Sequence, residues 1–588
     1  MKQFQIAYED DETLLKELDE IRQWQAANPS YATLFRIYSD DMELSRIKHV
    51  CDILDEQMPQ AQYLGCTTNA NILNGAWEKT HIVLSCTVFE YETTQIKVLQ
   101  LPLLEREVKQ TVGALKACIE ENPWVSAVEL HASILGMSAR RFCNEMSTLP
   151  EGIQVFGGGA CNPNIDSNTT FIFSKGHDFD GKGIVFLLMG GSDLHTYSTM
   201  ISGWKPLRRR FQITKSHREV LHELDGQPAF NVYQRFLNID RNGDKLTSNT
   251  VEFPLFMDYK GVDVTRCPIG VDDNGALIMT SDVEQGAFIR LAYGDPETIL
   301  VSIRRDGQTI ANFQPQVIQT FSCAARKAFW GDENISDETV LFNTVAPTSG
   351  FYTAGEFLRM NGLVRNFNVT LILAAMREGE PKDDTVVNLY DTKFEKFEND
   401  RLPLIRRFVS FIEASTAELE EANQKLAVTS MTDGLTGLYN RSMIEKGINS
   451  SLQLSKSGYL SLIMLDIDNF KKVNDTYGHR EGDHVIIALS DVLRRVLGDI
   501  DSAYSGRWGG EEFMVLLQNV GVEDAANLAE KIRAEFASIS YEIAVSQTVS
   551  IGVTQARADE NFDTLCSRVD KALYSAKANG KNQVVILN

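Results

Sequence analysis

Two short stretches near the end of this 588-residue chain place acidic residues where a fold has no structural need of them. The first is Asp466-Ile467-Asp468, which closes the apolar run Leu460 to Leu465. In α/β sheets, ligands sit beyond the carboxyl ends of strands, and these carboxylates fall at such an end. The second is Arg507-Trp508-Gly509-Gly510-Glu511-Glu512-Phe513. Two glycines between β-type residues predict a tight hairpin turn whose backbone can approach a ligand closely. Two glutamates follow at once. With the hairpin beside the strand ending at Asp466, three or four carboxylates converge. Converging carboxylates repel unless a hard cation neutralises them, and Mg²⁺ (or Mn²⁺) takes carboxylate oxygens together with substrate phosphates. That is the chemistry of phosphoryl or nucleotidyl transfer. The bland alternative is two unrelated acidic turns on the surface, since short motifs specify function loosely.

The elements that must position these residues are legible around them. MTDGLTGLYNR, after Ser430, is a Gly-punctuated turn leading into a helix. An apolar strand (Tyr459 to Leu465), a helix after Phe470 and a short strand before Gly509-Gly510 follow. Then come a strand at Phe513 to Leu517, a helix, the strand Gln547 to Val553 and a helix from Phe562. Strands and helices interleave as in a ferredoxin-like α/β sandwich.

Upstream, Asp383-Asp384 opens a different regime. From Pro403, a good first-turn residue, to Thr429 there is no further Pro and no Gly. Ile405, Phe408, Ile412, Ser415, Leu419, Ala422, Leu426 and Thr429 alternate at spacings of three and four, a heptad seam with weak members. It reads as a parallel dimeric coiled coil joining an input to an output module, or as an amphipathic helix packed on its own chain. From about Tyr31 to Met376, short apolar runs ended by glycine alternate with amphipathic helical stretches; Ile82 to Phe89, Gly183 to Met189 and Val369 to Ala375 are examples. This predicts α/β or α+β sensor-type architecture in two halves, with the turn signal Asp225-Gly226-Gln227-Pro228 as the seam. The expected organisation is a helical segment at 1–30, sensor halves at 31–225 and 226–385, a helical linker at 386–430 and an α/β domain at 431–588.

Composition narrows the classes. The formal net charge is −23, a surface that repels duplex DNA and anionic membranes, so no nucleic-acid or membrane partner is expected. The acidic start MKQFQIAYEDDETLLKELDE lacks the apolar core of a signal peptide. No apolar run approaches the roughly 18 residues that span a bilayer. Nine cysteines lie scattered with no C-x-x-C pair, which reads as reduced thiols in a cytoplasmic protein.

DGLTGLYNR, LDIDNFKKVNDTYGHREGD, RWGGEEF and DKALYSAKANGKN together resemble, in order, the signatures of the GGDEF domain of diguanylate cyclases, over residues 431–588. The resemblance implies that two GTP molecules, one in each of two facing domains of a homodimer, condense to cyclic di-GMP with release of two pyrophosphates. It implies that the Asp466 side chain, the Ile467 carbonyl and Glu511 hold Mg²⁺, and that Glu512 assists a second metal or the attacking 3′-hydroxyl. Asn474 and Asp483 would hydrogen-bond the guanine edge. The Asn469 and Phe470 amides would cradle phosphates as helix N-termini do, and Lys577 and Lys581 would reach the β- and γ-phosphates. The homodimer would form through the 403–429 helix and the cyclase domains. The chain departs from the family pattern in three places. Lys581 stands where arginine is usual, Trp508 where tyrosine is usual, and Ile500-Asp501-Ser502-Ala503 lacks the Arg-x-x-Asp of an inhibitory product site. A product receptor that had lost catalysis would keep Arg-x-x-Asp and lose the acidic turn, so an enzyme is expected here, with an inactive GTP-binding regulatory module as the alternative.

YLGCTTNANILNG (63–75), FGGGACNP (156–163), GW-x-P with ITKS (203–216) and ELDGQPAF-x-x-Y (223–233) resemble the first half of the FIST sensory domain. TFSCAARK (320–327), GFYTAGEF (350–357) and NFNVTLIL (366–373) resemble its second half. The resemblance implies a cytoplasmic input domain for a small metabolite such as an amino acid. Cys323, Arg326, Glu356, Asn368 and Thr370 are the candidate polar ligands, with Arg326 and Glu356 matching a carboxylate and an ammonium. Alternatively, Arg326 and Glu356 pair structurally. A haem-based gas sensor is the different-class alternative, with His49, His81, His131, His177, His195, His217 or His222 as axial ligand, although no C-x-x-C-H attachment motif occurs.

Overall fold

The computed structural model describes all residues except 135–136, 165–166, 168, 240–251, 260, 382–385, 392–411, 413, 415, 417–418, 420–430, 455–458, 542–545 and 559. The chain divides into a unit from Met1 to Ser410 and a second from Phe411 to Asn588.

In the first unit three βαβ crossovers repeat. Strand Ala32–Ser39 runs parallel to Gln62–Thr67 across helix Leu44–Gln57. Val125–Ala132 runs parallel to Gln154–Gly159 across Ala139–Met146, and Val317–Cys323 to Thr348–Thr353 across Ala324–Asn334. All these strands are almost wholly buried, which is why they read as apolar runs and not as alternating patterns.

The expected segment of helix at 1–30 is a strand followed by a helix. Lys2–Ala7 pairs antiparallel with Ile82–Phe89 and so completes the first sheet, before helix Asp11–Ala27 starts on an Asp10 carboxylate that accepts from Thr13 N at 2.8 Å. The expected seam at Asp225–Pro228 is a hairpin turn, with Asp225 and Gly226 at φ 51° and 76° and Leu224 paired to Gln227. It does not separate the unit into halves, because strands from both sequence halves share sheets. Ala70–Leu73 and Leu194–Ile201 lie in one sheet with Val317–Cys323, Thr348–Thr353 and Leu371–Glu378. Glu356–Met360 pairs with Gln154–Gly159 in another. The strand expected from Val369 starts at Leu371. Val369 itself takes φ 60°, unusual for a β-branched residue, and its carbonyl accepts from Arg326 at 3.0 Å.

The coiled-coil expectation falls on residues 403–429, most of which lie outside the described residues. Ile412, Ala414, Thr416 and Leu419 are helical, and the two seam residues Ile412 and Leu419 are 55% and 65% exposed.

In the second unit a five-stranded sheet has Leu460–Ile467 at its centre, antiparallel to Glu512–Gln518 on one side and Val549–Gln555 on the other. Ala503–Arg507 and Val584–Ile586 form the edges. Strand alternation splits the core. Ile463, Leu465 and Ile467 pack with the helices Phe470–Tyr477, His479–Leu497 and Val522–Ala537. Leu460, Leu462 and Met464 pack with Arg441–Leu454 and Phe562–Ala578. The interleaved order and two covered faces agree with the α/β sandwich expected from the sequence. Among the described residues no helix is long and apolar enough to cross a membrane.

Candidate active site

Strand parity puts Asp466 on the same face as Leu460, Leu462 and Met464, the face that helix Phe562–Ala578 covers. In register, Asp466 stands directly opposite Glu512, whose own face is that of Met514 and Leu516. The two carboxylates are therefore cross-strand neighbours, an arrangement that repels. Glu511 lies one residue back, its carbonyl accepting from Ile467 N at 3.3 Å. Burial pushes the Asp466 carboxyl above its ordinary range; Lys577 opposes that shift, and Glu511 and Glu512 add to it.

Lys577, in the last turn of the covering helix, answers the charge with its ammonium 2.7 Å from Asp466 Oδ2. Among the described residues no three His, Cys, Asp or Glu side chains stand in a metal-ligand arrangement. The donor set nonetheless suits a hard cation. It consists of oxygens, and the Lys577 ammonium already stands on Asp466 as a positive charge in the cation's place.

The third acid of the expected cluster turns elsewhere. Asp468 is 3% exposed and accepts from Thr548 Oγ1 at 2.7 Å, Ser550 Oγ at 2.6 Å and Asn582 N at 3.0 Å. It fastens three segments, and both of its oxygens are already taken by donors of the protein. The register sets Asp466 opposite Glu512, and Glu511 acts on Asp466 through its charge.

Around them the fold gathers the remaining expected residues. Asn469 takes a left-handed conformation (φ 57°) and opens helix Phe470–Tyr477 without capping it, so the Phe470 end keeps free backbone donors. The Asn469 side chain instead accepts from Lys581 Nζ at 2.5 Å. Lys577 and Lys581 thus tie one helix end to the Asp466–Phe470 loop from two sides. Asn474 and Asp483 flank the junction where helix Phe470–Tyr477 gives way to His479–Leu497 at Gly478 (φ 86°). Gly482 leaves the room that the Asn474 side chain occupies, since a Cβ on it would sit 2.0 Å from Asn474 Oδ1.

The turn glycines hold for a different reason than expected. Neither Gly509 nor Gly510 has positive φ; a Cβ on Gly509 would meet the Glu512 carboxylate at 2.5 Å, while Gly510 faces open space. The turn is stapled by a residue that sequence reasoning missed. Arg507 donates to the Gly509 carbonyl at 3.1 Å and the Gly510 carbonyl at 2.6 Å, and pairs with Asp433 at 3.3 Å. Burial raises the Asp433 carboxyl, but Thr436 and Arg507 outweigh it and hold it below its ordinary range. The signal was present, as both residues lie inside the cyclase motifs. Trp508 stacks under Arg441, 4.6 Å from guanidinium to ring centre.

The N-terminal candidates separate. Arg326 is fully buried and spent. Its fork binds Glu338 at 2.6 and 2.9 Å, and its remaining donors meet the Ser202 and Val369 carbonyls at 2.8 and 3.0 Å. It neither offers a ligand contact nor pairs with Glu356. The competing carboxylate, Glu338, lies only one helix away in sequence and was overlooked. Glu356 and Thr370 bond each other at 2.7 Å, leaving Glu356 Oε1 buried without a partner. Burial pushes this carboxyl up to about 8, against the pull of Thr370. Cys323 and Asn368 line a cleft of about 660 Å³, mouth included, with Cys161, Cys267, Thr280 and Thr353. It lies beyond the carboxyl ends of the parallel strands Val317–Cys323 and Thr348–Thr353. None of the seven histidines lines it. His131 is enclosed in the core at 3.0 Å from Glu129, while His49 and His81 pair with Asp11 and Asp40 near the surface.

Three family models match segments of the chain. The model described as "Diguanylate cyclase, GGDEF domain" matches residues 430–583, the FIST N domain residues 34–227 and the FIST C domain residues 229–359. Diguanylate cyclase DgcM of Escherichia coli K12 is 38% identical over 172 residues, covering 29% of this chain and 41% of that protein. Diguanylate cyclase VdcA of Vibrio cholerae is 30% identical over 286 residues, covering 42% of this chain and 83% of that protein. The chain thus spans less than half the length of DgcM and most of VdcA. The solved coiled coil and GGDEF domain of DgcB from Caulobacter crescentus, in complex with c-di-GMP, is 28% identical and covers 31% of this chain and 99% of that one, with a TM-score of 0.30.

Proposed function

The chain belongs to the GGDEF family of diguanylate cyclases, and we propose that it condenses two GTP molecules into cyclic di-GMP and two pyrophosphates. The observation that carries this is the Asp466–Glu512 cross-strand pair, with Glu511 beside it and the Lys577 ammonium on Asp466. Such a pair is costly unless positive charge arrives, and a nucleoside triphosphate brings its own cation. Mg²⁺ or Mn²⁺, held by Asp466, the Ile467 carbonyl, Glu511 and Glu512, would neutralise the charge that builds on the phosphates.

Each of the chain's own groups then has a task. Asn474 and Asp483 take the guanine edge at the helix junction. The free amides at Asn469 and Phe470 receive phosphate oxygens. Lys577 exchanges Asp466 for a phosphate, and Lys581 joins it from the other side. Glu512 shares the metal or accepts the proton of the attacking 3′-hydroxyl. No protein nucleophile is needed, so rate comes from positioning and charge neutralisation.

One domain holds one GTP, so two must face each other, and a homodimer through the 403–429 helix and the cyclase domains supplies the second. The N-terminal unit is the input, regulated by a small metabolite. A cytoplasmic setting, where GTP is present and thiols stay reduced, fits nine unpaired cysteines.

The test is cyclic di-GMP formation by Glu511→Ala and Asp466→Ala, each checked for an intact circular dichroism spectrum. Both variants should be inactive. Appreciable GTP turnover by folded Glu511→Ala would overturn the reading.

A further inference from the structure

A second cleft, about 470 Å³ with its mouth, lies where helix Ala139–Met146 meets the strands Leu255–Asp258, Asp263–Arg266 and Leu363–Phe367. Arg266 lines it and is only 6% exposed. Its guanidinium donates to the carbonyls of Thr265 at 2.9 Å, Asn366 at 3.2 Å and Asp282 at 3.4 Å, and to Asn368 Oδ1 at 3.5 Å. Among the described residues no carboxylate pairs with it. The contrast within this chain is direct. The two arginines with no exposed surface at all each have one, Arg36 on Glu129 at 2.8 Å and Arg326 on Glu338 at 2.6 Å. A buried charge without a counter-ion is costly, and burial accordingly lowers the Arg266 pKa.

Two neighbours share the cleft. Arg365, 3% exposed, donates to the Met360 carbonyl at 2.6 Å and adds a second guanidinium whose pKa burial also lowers. Asn366, 5% exposed, has neither Nδ2 nor Oδ1 partnered. The acids that line the cleft have other hydrogen-bond partners, although the Asp282 charge still favours the charged form of Arg266. The Asp282 carboxylate accepts from Ser138 Oγ at 3.0 Å and Arg140 N at 3.1 Å, which fixes the start of the helix. Glu284, exposed at the rim, pairs with Arg140 at 3.4 Å.

We propose that this cleft binds a small oxyanion-bearing molecule, a carboxylate or a phosphate, on Arg266, Arg365 and the Asn366 amide. The guanidinium fork matches both anions geometrically, and the Asn366 Nδ2 supplies a donor that has nothing else to do. The proposal rests on the reading that the N-terminal unit receives a small ligand, and it moves that ligand away from Arg326. Helix Ala139–Met146 comes from the first matched FIST segment and Arg266 from the second, so a bound anion ties the two sequence halves together.

The test titrates the full chain, without GTP, with sodium succinate and separately with inorganic phosphate. Each is matched in ionic strength with sodium chloride, and binding is read by calorimetry and melting temperature. At least one anion should give saturable heat and raise the melting point, as a ligand of the native state does; which one does so distinguishes carboxylate from phosphate. Arg266→Met should abolish the response. Asn366→Ala, which removes no existing partner and should fold like the parent, should weaken binding about tenfold, the equivalent of about 1.4 kcal/mol. Absence of saturable heat with both anions, or an undiminished response in Asn366→Ala, overturns the proposal. Cyclic di-GMP formation in the same preparations is scored separately. A dead cyclase that binds the anion refutes only the catalytic reading, and an anion that binds without changing the rate refutes only the regulatory one.

Discussion

Asp466 and Asp468 are two residues apart in one motif, and the structure gives them opposite work, so their neutralised variants should behave in opposite ways. Asp468→Asn keeps the shape of a side chain that accepts three hydrogen bonds from Thr548, Ser550 and Asn582. It loses the charge, and its amide nitrogen faces donors it cannot accept from. Hydrogen bonds to a buried charge contribute about 1.5–3 kcal/mol each, and the asparagine carbonyl retains one or two of them, which leaves a net loss of about 2–3 kcal/mol. The cost falls on the segments that Asp468 fastens. Amides of Val549–Gln555 and of Asn582 should therefore exchange with deuterium about 30–150-fold faster, since about 1.4 kcal/mol is a factor of ten. The Mg²⁺ concentration that half-activates cyclisation should stay within about threefold of the parent, because both Asp468 oxygens are already engaged by Thr548, Ser550 and Asn582. Asp466→Asn should do the reverse. It removes a carboxyl that burial and two glutamates already oppose, so exchange should be no faster than in the parent while cyclisation is lost. Hydrogen exchange by mass spectrometry and a metal titration of activity decide the matter. Unchanged exchange with a tenfold shift in metal dependence for Asp468→Asn would show that Asp468 is a metal ligand and the anchoring argument wrong.

Three further outcomes are expected. Gly482→Ala places a methyl where Asn474 Oδ1 lies, 2.0 Å away, so the amide must swing off the guanine position; KM for GTP should rise about tenfold with little change in melting, one hydrogen bond's worth, and an unaltered KM would remove Asn474 from the base site. Glu356, with its pKa raised to about 8, holds its proton in the folded state across a range where the unfolded chain has lost it; stability therefore falls as pH rises from about 4.5 to 8, and Glu356→Gln should melt progressively higher than the parent toward pH 8, whereas parallel curves would mean that the carboxyl titrates normally. With Ile500-Asp501-Ser502-Ala503 in place of Arg-x-x-Asp, cyclic di-GMP should inhibit only weakly and competitively with GTP in initial-rate assays; tight non-competitive inhibition would locate a product site elsewhere.

The sequence by itself marked out the candidate residues of the cyclase site. The acidic strand end, the glutamate turn and the two lysines lie in local motifs whose conformations are set within a few residues, and strand alternation carries Asp466 to the correct face. It also determined the absence of the Arg-x-x-Asp pattern, a fact of spelling. Tertiary structure alone decided three matters. Asp468 became an anchor because its partners, Thr548, Ser550 and Asn582, arrive from segments that only the sheet brings together. Arg326 and Glu356, a convincing pair on paper, were separated because Glu338 reaches the guanidinium first and Thr370 takes the carboxylate. The two sequence halves of the first unit interlock because Ala70–Leu73 and Leu194–Ile201 complete a sheet begun more than a hundred residues later. Local pattern fixes which way a side chain points along a strand or helix. Which distant group it then meets depends on sheet order, and sheet order is settled by the packing of the whole unit.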